Sequence, residues 1–351
     1  MSKFSLEFWN GSEAGDRVLV GFGNVSTPWW YDAKLQGAES NIYDETIPVG
    51  DVVRRLFHWE PVSAPVYAAV PCTFDEATTI GPSGEPLRFV VAPDRQAIVS
   101  SDTSEILGIF KSGYQAHSYQ TWLLGNVSNL LGGEVGIGSA GFANRERSQA
   151  FVQVRTPETV TTPQGVEFLP HLLAYTSLDG TLATTYKRCS TIVVCDNTFS
   201  AAIGQGAGSV VKVKHTRYSH LRLTDAQQAL GLITETAEDF SATIAALCEQ
   251  EVTKAQFGKV LDVLIPRPSD EGRAQTLADT KRDGILSLYA HDTRVAPWAG
   301  TAFGVLQAFD TYDRYYSTVR GVSRPERVLS GTIDGTYDKG ADAVLKALAL
   351  V

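Results

Sequence analysis

The chain has one methionine in 351 residues and only four cysteines, Cys72, Cys189, Cys195 and Cys248. No two cysteines form a CxxC pair, so the spacing fits neither a zinc ribbon nor a disulfide framework. Reduced thiols in a cytoplasm are the expectation, with no metal and no cofactor. No apolar run approaches the roughly 20 residues of a membrane span. The opening MSKFSLEFWNGSEAGDR lacks the apolar core of a secretory signal. The Asn-x-Ser triplets at Asn10, Asn24 and Asn126 then carry no message, since nothing routes the chain to a glycosylating compartment. The expected setting is cytoplasmic, with no membrane partner.

Catalytic signatures are scarce as well. There is no GxSxG elbow for a serine hydrolase. GIGSAG at 136–141 matches GxGxxG, but FANRERSQAFVQV follows it and alternates like a strand. A glycine-rich turn between strands therefore fits better than a dinucleotide cradle. GQGAG at 204–208 has no following Gly-Lys-Ser/Thr and is not a phosphate loop. HWE at 58–60 and HDTR at 291–294 place a histidine beside an acid without the paired spacing of a zinc helix, and read as surface ion pairs.

Lys and Arg number 30 against 39 Asp and Glu, a formal net charge of -9. That excludes a uniformly basic nucleic-acid wrapper but not a local basic groove, because a polyanion meets the local potential. Two-residue alternation and β-branched runs predict strands in DRVLVGFG, APVYAAVPC, LRFVVAPD, QAIVSSDTSEILGIF, EVGIGSAGF, RSQAFVQVRTPE and CSTIVVCDNTFSAAIG. SLDGTL reads as a hairpin turn. A short helix is expected over Val49–Phe57, and another from Trp122 to the Gly132-Gly133 stop.

At Thr224 the composition turns helical, with Leu230, Ile233, Ala237, Phe240, Ile244 and Leu247 on one stripe and Thr224 as N-cap. Further helices are expected over Lys254–Leu264, Thr276–Ala290, Trp298–Tyr316 and Ala341–Leu350. RGVSRPERVLSG reads as a loop before the last. Segregated strands and helices give an α+β fold: an antiparallel, sheet-rich N-terminal and central part (1–223) and a helical C-terminal part (224–351) packing on it, as two regions or one continuous domain.

The densest basic stretch is GSVVKVKHTRYSHLR, with Lys212, Lys214, His215, Arg217, Tyr218, His220 and Arg222. No Asp or Glu occurs between Asn197 and Thr224, so these cations have no acidic sequence neighbour. In an extended strand Lys212, Lys214, Thr216, Tyr218 and His220 share one face. Cations for phosphates and a ring for a base suit single-stranded nucleic acid. The same pattern also fits an edge strand guarded by lysines. Lys187, Arg188, Arg145 and Arg147 are secondary candidates on neighbouring strands. Asp196-Asn197, where the apolar run Ile192–Val194 ends, is a candidate polar site or simply a turn.

Several segments together resemble the phage/plasmid-like protein family, a family of unknown function. The resemblance runs in order through GFGNVSTPW, VGDVVRRLFHWEPVSAPVYA, ILGIFKSGYQAHSYQTWLLGNVSNLLGG, GSAGFANRERSQAFVQVRTPE, LLAYTSLDGTLATTYKRCSTIVVCDNTFSAAI, VKHTRYSHLRLTDAQQALGL, GTAFGVLQAFDTYDRYYS and GADAVLKALALV. Where that family has a Trp-His pair near its start, this chain has PWWYD, so no role for that histidine carries over. The resemblance implies a mobile-element origin and a host bacterial cytoplasm, and supplies no activity. By fold-level analogy the body is similar to phage single-strand annealing proteins of the Red beta kind.

Three functions remain open from sequence. One is binding of single-stranded nucleic acid in replication or recombination, as a homo-oligomer. Another is an enzyme acting on nucleic acid or nucleotides around Asp196, Asn197 and His215. The third is a host- or phage-protein interaction, such as inhibition of a host defence, with PWWY at an interface.

Overall fold

The computed structural model describes residues 18–23, 39–127, 135–144, 146–156, 158–192, 198–200, 210–216, 219, 233–269, 272–322 and 324–351. The antiparallel sheets and the C-terminal helices expected from the sequence are both present.

The larger sheet has eight strands: β1 (Val18–Val20), β6 (Gly136–Phe142), β7 (Gln149–Arg155), β8 (Val160–Thr161), β9 (Glu167–Ser177), β10 (Thr184–Ile192), β11 (Thr198–Ser200) and β12 (Val210–Val213). They run in the order β1-β6-β7-β9-β10-β11, with β8 on β9 and β12 on β10, all pairs antiparallel. A second sheet is built from β2 (Pro61–Pro71), β3 (Thr79–Ile80), β4 (Pro86–Ser100) and β5 (Ile106–Lys111). β2 and the outer half of β4 form an arm whose residues are exposed on both faces.

For GIGSAG the strand expected over EVGIGSAGF holds and the glycine-rich turn does not: the segment is β6 itself. Its glycines serve close approach: a Cβ on Gly136 would lie 2.2 Å from the Thr46 hydroxyl, and one on Gly138 would lie 2.9 Å from the Arg155 side chain.

Register decides which side chains face each layer. The row Ala140–Val152–Ala174–Tyr186–Val211 crosses five strands of the large sheet on one face. That face packs against α1 (Val49–Arg55), the base of the arm and a π-helical turn at Gln120–Gly125, burying Leu56, Phe57, Ile98, Leu123 and Tyr186 in one core. On the opposite face Leu173, Tyr175 and Cys189 meet Ile333.

The helices are α2 (Ile233–Glu249), α3 (Lys254–Leu264), α4 (Arg273–His291), α5 (Ala302–Thr311, continued as a π-helical turn through Tyr316), α6 (Arg324–Asp334) and α7 (Thr336–Leu348). A capping box of Thr253 and Gln256 starts α3. Helix α6 occupies the stretch read as a loop. Pro325 stands at its second position, where the missing backbone N–H has no intrahelical partner to lose, so the proline starts the helix instead of breaking it. The helical core joins Phe240, Ile244, Phe257, Leu261, Ile285, Phe303, Leu306 and Val344 to Val166, just before β9, and Phe168 within it, so it crosses the division at residue 224.

Candidate functional site

The basic stretch begins as β12, which pairs with β10 alone among the described residues and so lies at a sheet edge. Val211 and Val213 face the core, and Val213 is buried. Lys212 and Lys214, the alternate positions, are exposed. Beyond β12 the chain bridges to the loop after β5. Thr216 pairs with Tyr114, and the Gln115 N–H donates to the His215 carbonyl at 3.4 Å. This contact joins two acid-free segments, 106–133 and 197–224. Lys111 is exposed at the end of β5, three residues before Tyr114. Lys111, Lys212 and Lys214 have no carboxylate partner among the described residues.

The contact is fastened from behind by a column of five rings. Phe110 stacks on Tyr114 at 3.8 Å, Tyr114 on His215 at 5.1 Å, His215 on His117 at 4.0 Å and His117 on Trp122 at 3.6 Å, with interplanar angles of 20° or less. Sheet residues on the core face complete it. His117 Nδ1 and the Thr184 hydroxyl share a hydrogen bond of 2.6 Å, as do the hydroxyls of Thr184 and Thr176, and His215 Nε2 lies 3.2 Å from Thr176 Oγ1. The Tyr114 hydroxyl donates to the Ser177 carbonyl at 3.3 Å. His117 Nε2 and His215 Nδ1 are buried without partners. Burial pushes His117 down to about 2, with His215 adding to it, and pushes His215 down to about 4. Both rings are therefore neutral near pH 7. No carboxylate hydrogen-bonds either ring, so the arrangement is a clamp more than an acid–base pair.

The structure separates the residues singled out in the sequence. Lys212 and Lys214 face outward as expected. His215 is turned to the other face and sandwiched between Tyr114 and His117, which leaves no ring face for a base. Lys187 is also corrected: it is buried, pairs with Asp338 and donates to the Thr332 carbonyl, so its ammonium is spent inside. Arg147 donates to Asp102 at 2.9 Å and covers the Trp59 ring, holding the Asp102 carboxyl well below its usual range. Arg188 is half-buried on β10. Arg145, Asp196, Asn197, Arg217, Tyr218, His220, Arg222 and the PWWY segment lie outside the described residues. His58 stands 3.4 Å from Asp102, and in HDTR the ion pair is Asp292 with Arg294.

The ring column escaped the sequence reading. The signal was YQAHSYQTW at 114–122, dense in rings and free of acids, but its partners lie some 60 to 100 residues away. Among the described residues no three His, Cys, Asp or Glu side chains converge on a metal position, and no helix is long and apolar enough to cross a membrane.

A family model described as "Domain of unknown function (DUF932)" matches residues 106–330, from the first residue of β5 into α6. No curated protein and no solved structure matches the chain.

Proposed function

The chain therefore belongs to the DUF932 family of unknown function, and we propose that its member here binds single-stranded nucleic acid at the junction of residues 111–116 with 210–216. The observation that carries this reading is the exposure of Lys111, Lys212 and Lys214, without a carboxylate partner among the described residues, where two acid-free segments of an otherwise acidic chain meet. A strand edge bearing spaced ammonium groups follows a phosphodiester backbone without reading sequence. The ring column holds this edge against the loop, so the backbone that carries the lysines is already in place. Tyr218 and the cations Arg217 and Arg222 follow directly in the chain, outside the described residues. On this reading the binding serves replication or recombination of a mobile element in a host cytoplasm, which the sequence resemblance to phage and plasmid proteins supports.

Anisotropy of a labelled single strand over a salt series tests this. Log affinity falls linearly with log salt, and each lost phosphate contact removes about 0.7 from the slope. The Lys212→Ala/Lys214→Ala double variant lowers the slope by about 1.4, and adding Lys111→Ala lowers it by about 2. Absent binding, or an unchanged slope, overturns the reading.

A specific observation favours homo-oligomers as well. The arm exposes Val62, Tyr67, Phe89, Val90 and Val91, each more than 40% accessible. Tyr67 pairs with Val91 and Ala69 with Phe89, so two rings share one face. A two-stranded ribbon is marginal in water alone, and a second copy covering it would stabilise it. Light scattering reads this directly: Phe89→Ser/Val91→Ser yields monomer where the parent chain is larger. A monomeric parent ends the idea.

A further inference from the structure

Six cationic side chains are buried among the described residues: Arg55, Arg155, Lys187, Arg282, Arg314 and Arg324. Five have counter-groups. Arg55 donates to Asn41 and to the Ser40 carbonyl, Lys187 to Asp338, Arg282 to Asp262 and the Ile265 carbonyl, Arg314 to Asp310, and Arg324 to the Arg314 and Ser317 carbonyls. Arg155 differs. It is only 4% exposed, and its one hydrogen bond is a long one, 3.4 Å from Nη1 to the Thr156 carbonyl. Among the described residues no carboxylate attends it, and burial pushes its pKa down to about 10. A guanidinium left so is costly unless something external neutralises it.

The surroundings are shaped around this side chain. Gly138 makes room, since a Cβ there would come within 2.9 Å of Arg155 Cγ and Nε. The Phe22 ring covers the guanidinium at 4.5 Å. Phe22 has φ 55°, a conformation uncommon for a bulky residue, and is held by Phe22 N–H to the Glu45 carbonyl and Gly23 N–H to the Tyr43 carbonyl. Directly across the strand pair stands His171, also buried. Its Nδ1 lies 3.2 Å from the Leu169 carbonyl, which fixes the proton on Nδ1 and leaves the Nε2 lone pair without a partner among the described residues. Cross-strand neighbours have Cβ atoms about 5 Å apart, so one small ligand can reach both groups.

We propose that Arg155 and His171 form a phosphate site, for the free ion or for a terminal phosphate monoester. The guanidinium edge donates two N–H groups to two phosphate oxygens. The neutral Nε2 accepts the P–OH proton of the singly protonated phosphate. Sulfate is isosteric but carries no proton near neutral pH, so it meets that lone pair with another. This site is separate from the lysine edge and stands or falls without it.

Calorimetry and thermal shift at low ionic strength and pH 6.5 test it, with inorganic phosphate, a nucleoside 5′-monophosphate and sulfate as probes. The expected result is saturable one-to-one phosphate binding, at least tenfold tighter than sulfate. Comparable binding of the monophosphate extends the site to esters, and phosphate binding alone limits it to the free ion. Arg155→Met weakens phosphate binding at least tenfold, and His171→Gln narrows the preference over sulfate. Without ligand, Arg155→Met keeps or raises the melting temperature, because it removes an unpaired buried charge. No saturable phosphate binding, equal binding by Arg155→Met, or a large fall in its unliganded melting temperature overturns the proposal. Lys212→Ala/Lys214→Ala retains phosphate binding in full.

Discussion

Lys187 and Lys212 stand on neighbouring strands and point to the same face of the sheet, yet one is spent and the other available. The difference comes from what covers them. The end of α6 and the start of α7 lay Thr332 and Asp338 over Lys187, and nothing among the described residues does so for Lys212. Lys187→Met should therefore leave single-strand affinity unchanged, while Asp338→Asn, which strands a buried ammonium, should cost about 3 kcal/mol in urea unfolding. Equal effects of Lys187→Met and Lys212→Ala on affinity would refute this division. Gly180 offers a second residue-scale test. It sits at φ 80° in the SLDG turn, and a Cβ there would approach Phe110 Cε1 to 2.7 Å. Gly180→Ala is expected to lose about 1–3 kcal/mol through backbone strain and displacement of the outer ring of the column. A loss near zero would mean the ring has room to move.

At the scale of elements, the sequence was most legible where local chemistry is complete. Helix α3 spans Lys254–Leu264 as expected, because Thr253 and Gln256 cap it and a proline follows two residues after its end. The Asp179-Gly180 turn joins β9 to β10 as the hairpin signal requires. Helix α6 covers most of a stretch that reads as a loop, and its Pro325 stands at position two, which a helix tolerates. The site was less legible than the fold. Alternation in VVKVK fixed which lysines face out, since β12 has one buried and one exposed side. Nothing local showed that His215 would meet His117, or that Arg155, on the nominally polar side of QAFVQVR, would lie against the Phe22 ring. Those facts depend on segments far apart in sequence, which periodicity does not see.

For the whole molecule, three neutral imidazoles, His117 and His171 buried and His215 half-buried, shape the response to acid. His171 and His215 are pushed down to about 4 and His117 to about 2, each chiefly by burial. Unfolded histidine titrates near 6.5, so between 6.5 and 4 the unfolded chain binds protons that the folded chain refuses. The stabilisation is fully present above about pH 6.5 and is lost as pH falls, by up to about 1.4 kcal/mol per pH unit for each ring. Urea unfolding at pH 7.5, 6.5, 5.5 and 4.5 should show stability dropping mainly below 6.5, before ordinary carboxylates titrate. His215→Gln should make that drop shallower. A flat profile down to pH 4.5 would show that these rings are not held neutral.

The ring column has an optical consequence too. Trp122 and Tyr114 are absorbers locked into one pile of parallel planes, with two imidazoles as spacers. Fixed ring geometry gives transitions a handed environment, so the pile contributes to near-ultraviolet circular dichroism. If the edge carrying Lys212 and Lys214 lifts away, His215 leaves the pile and that contribution fades, while the peptide signal at shorter wavelengths scarcely changes. The molecule thus carries a built-in gauge, readable without any label, of whether its lysine edge is seated.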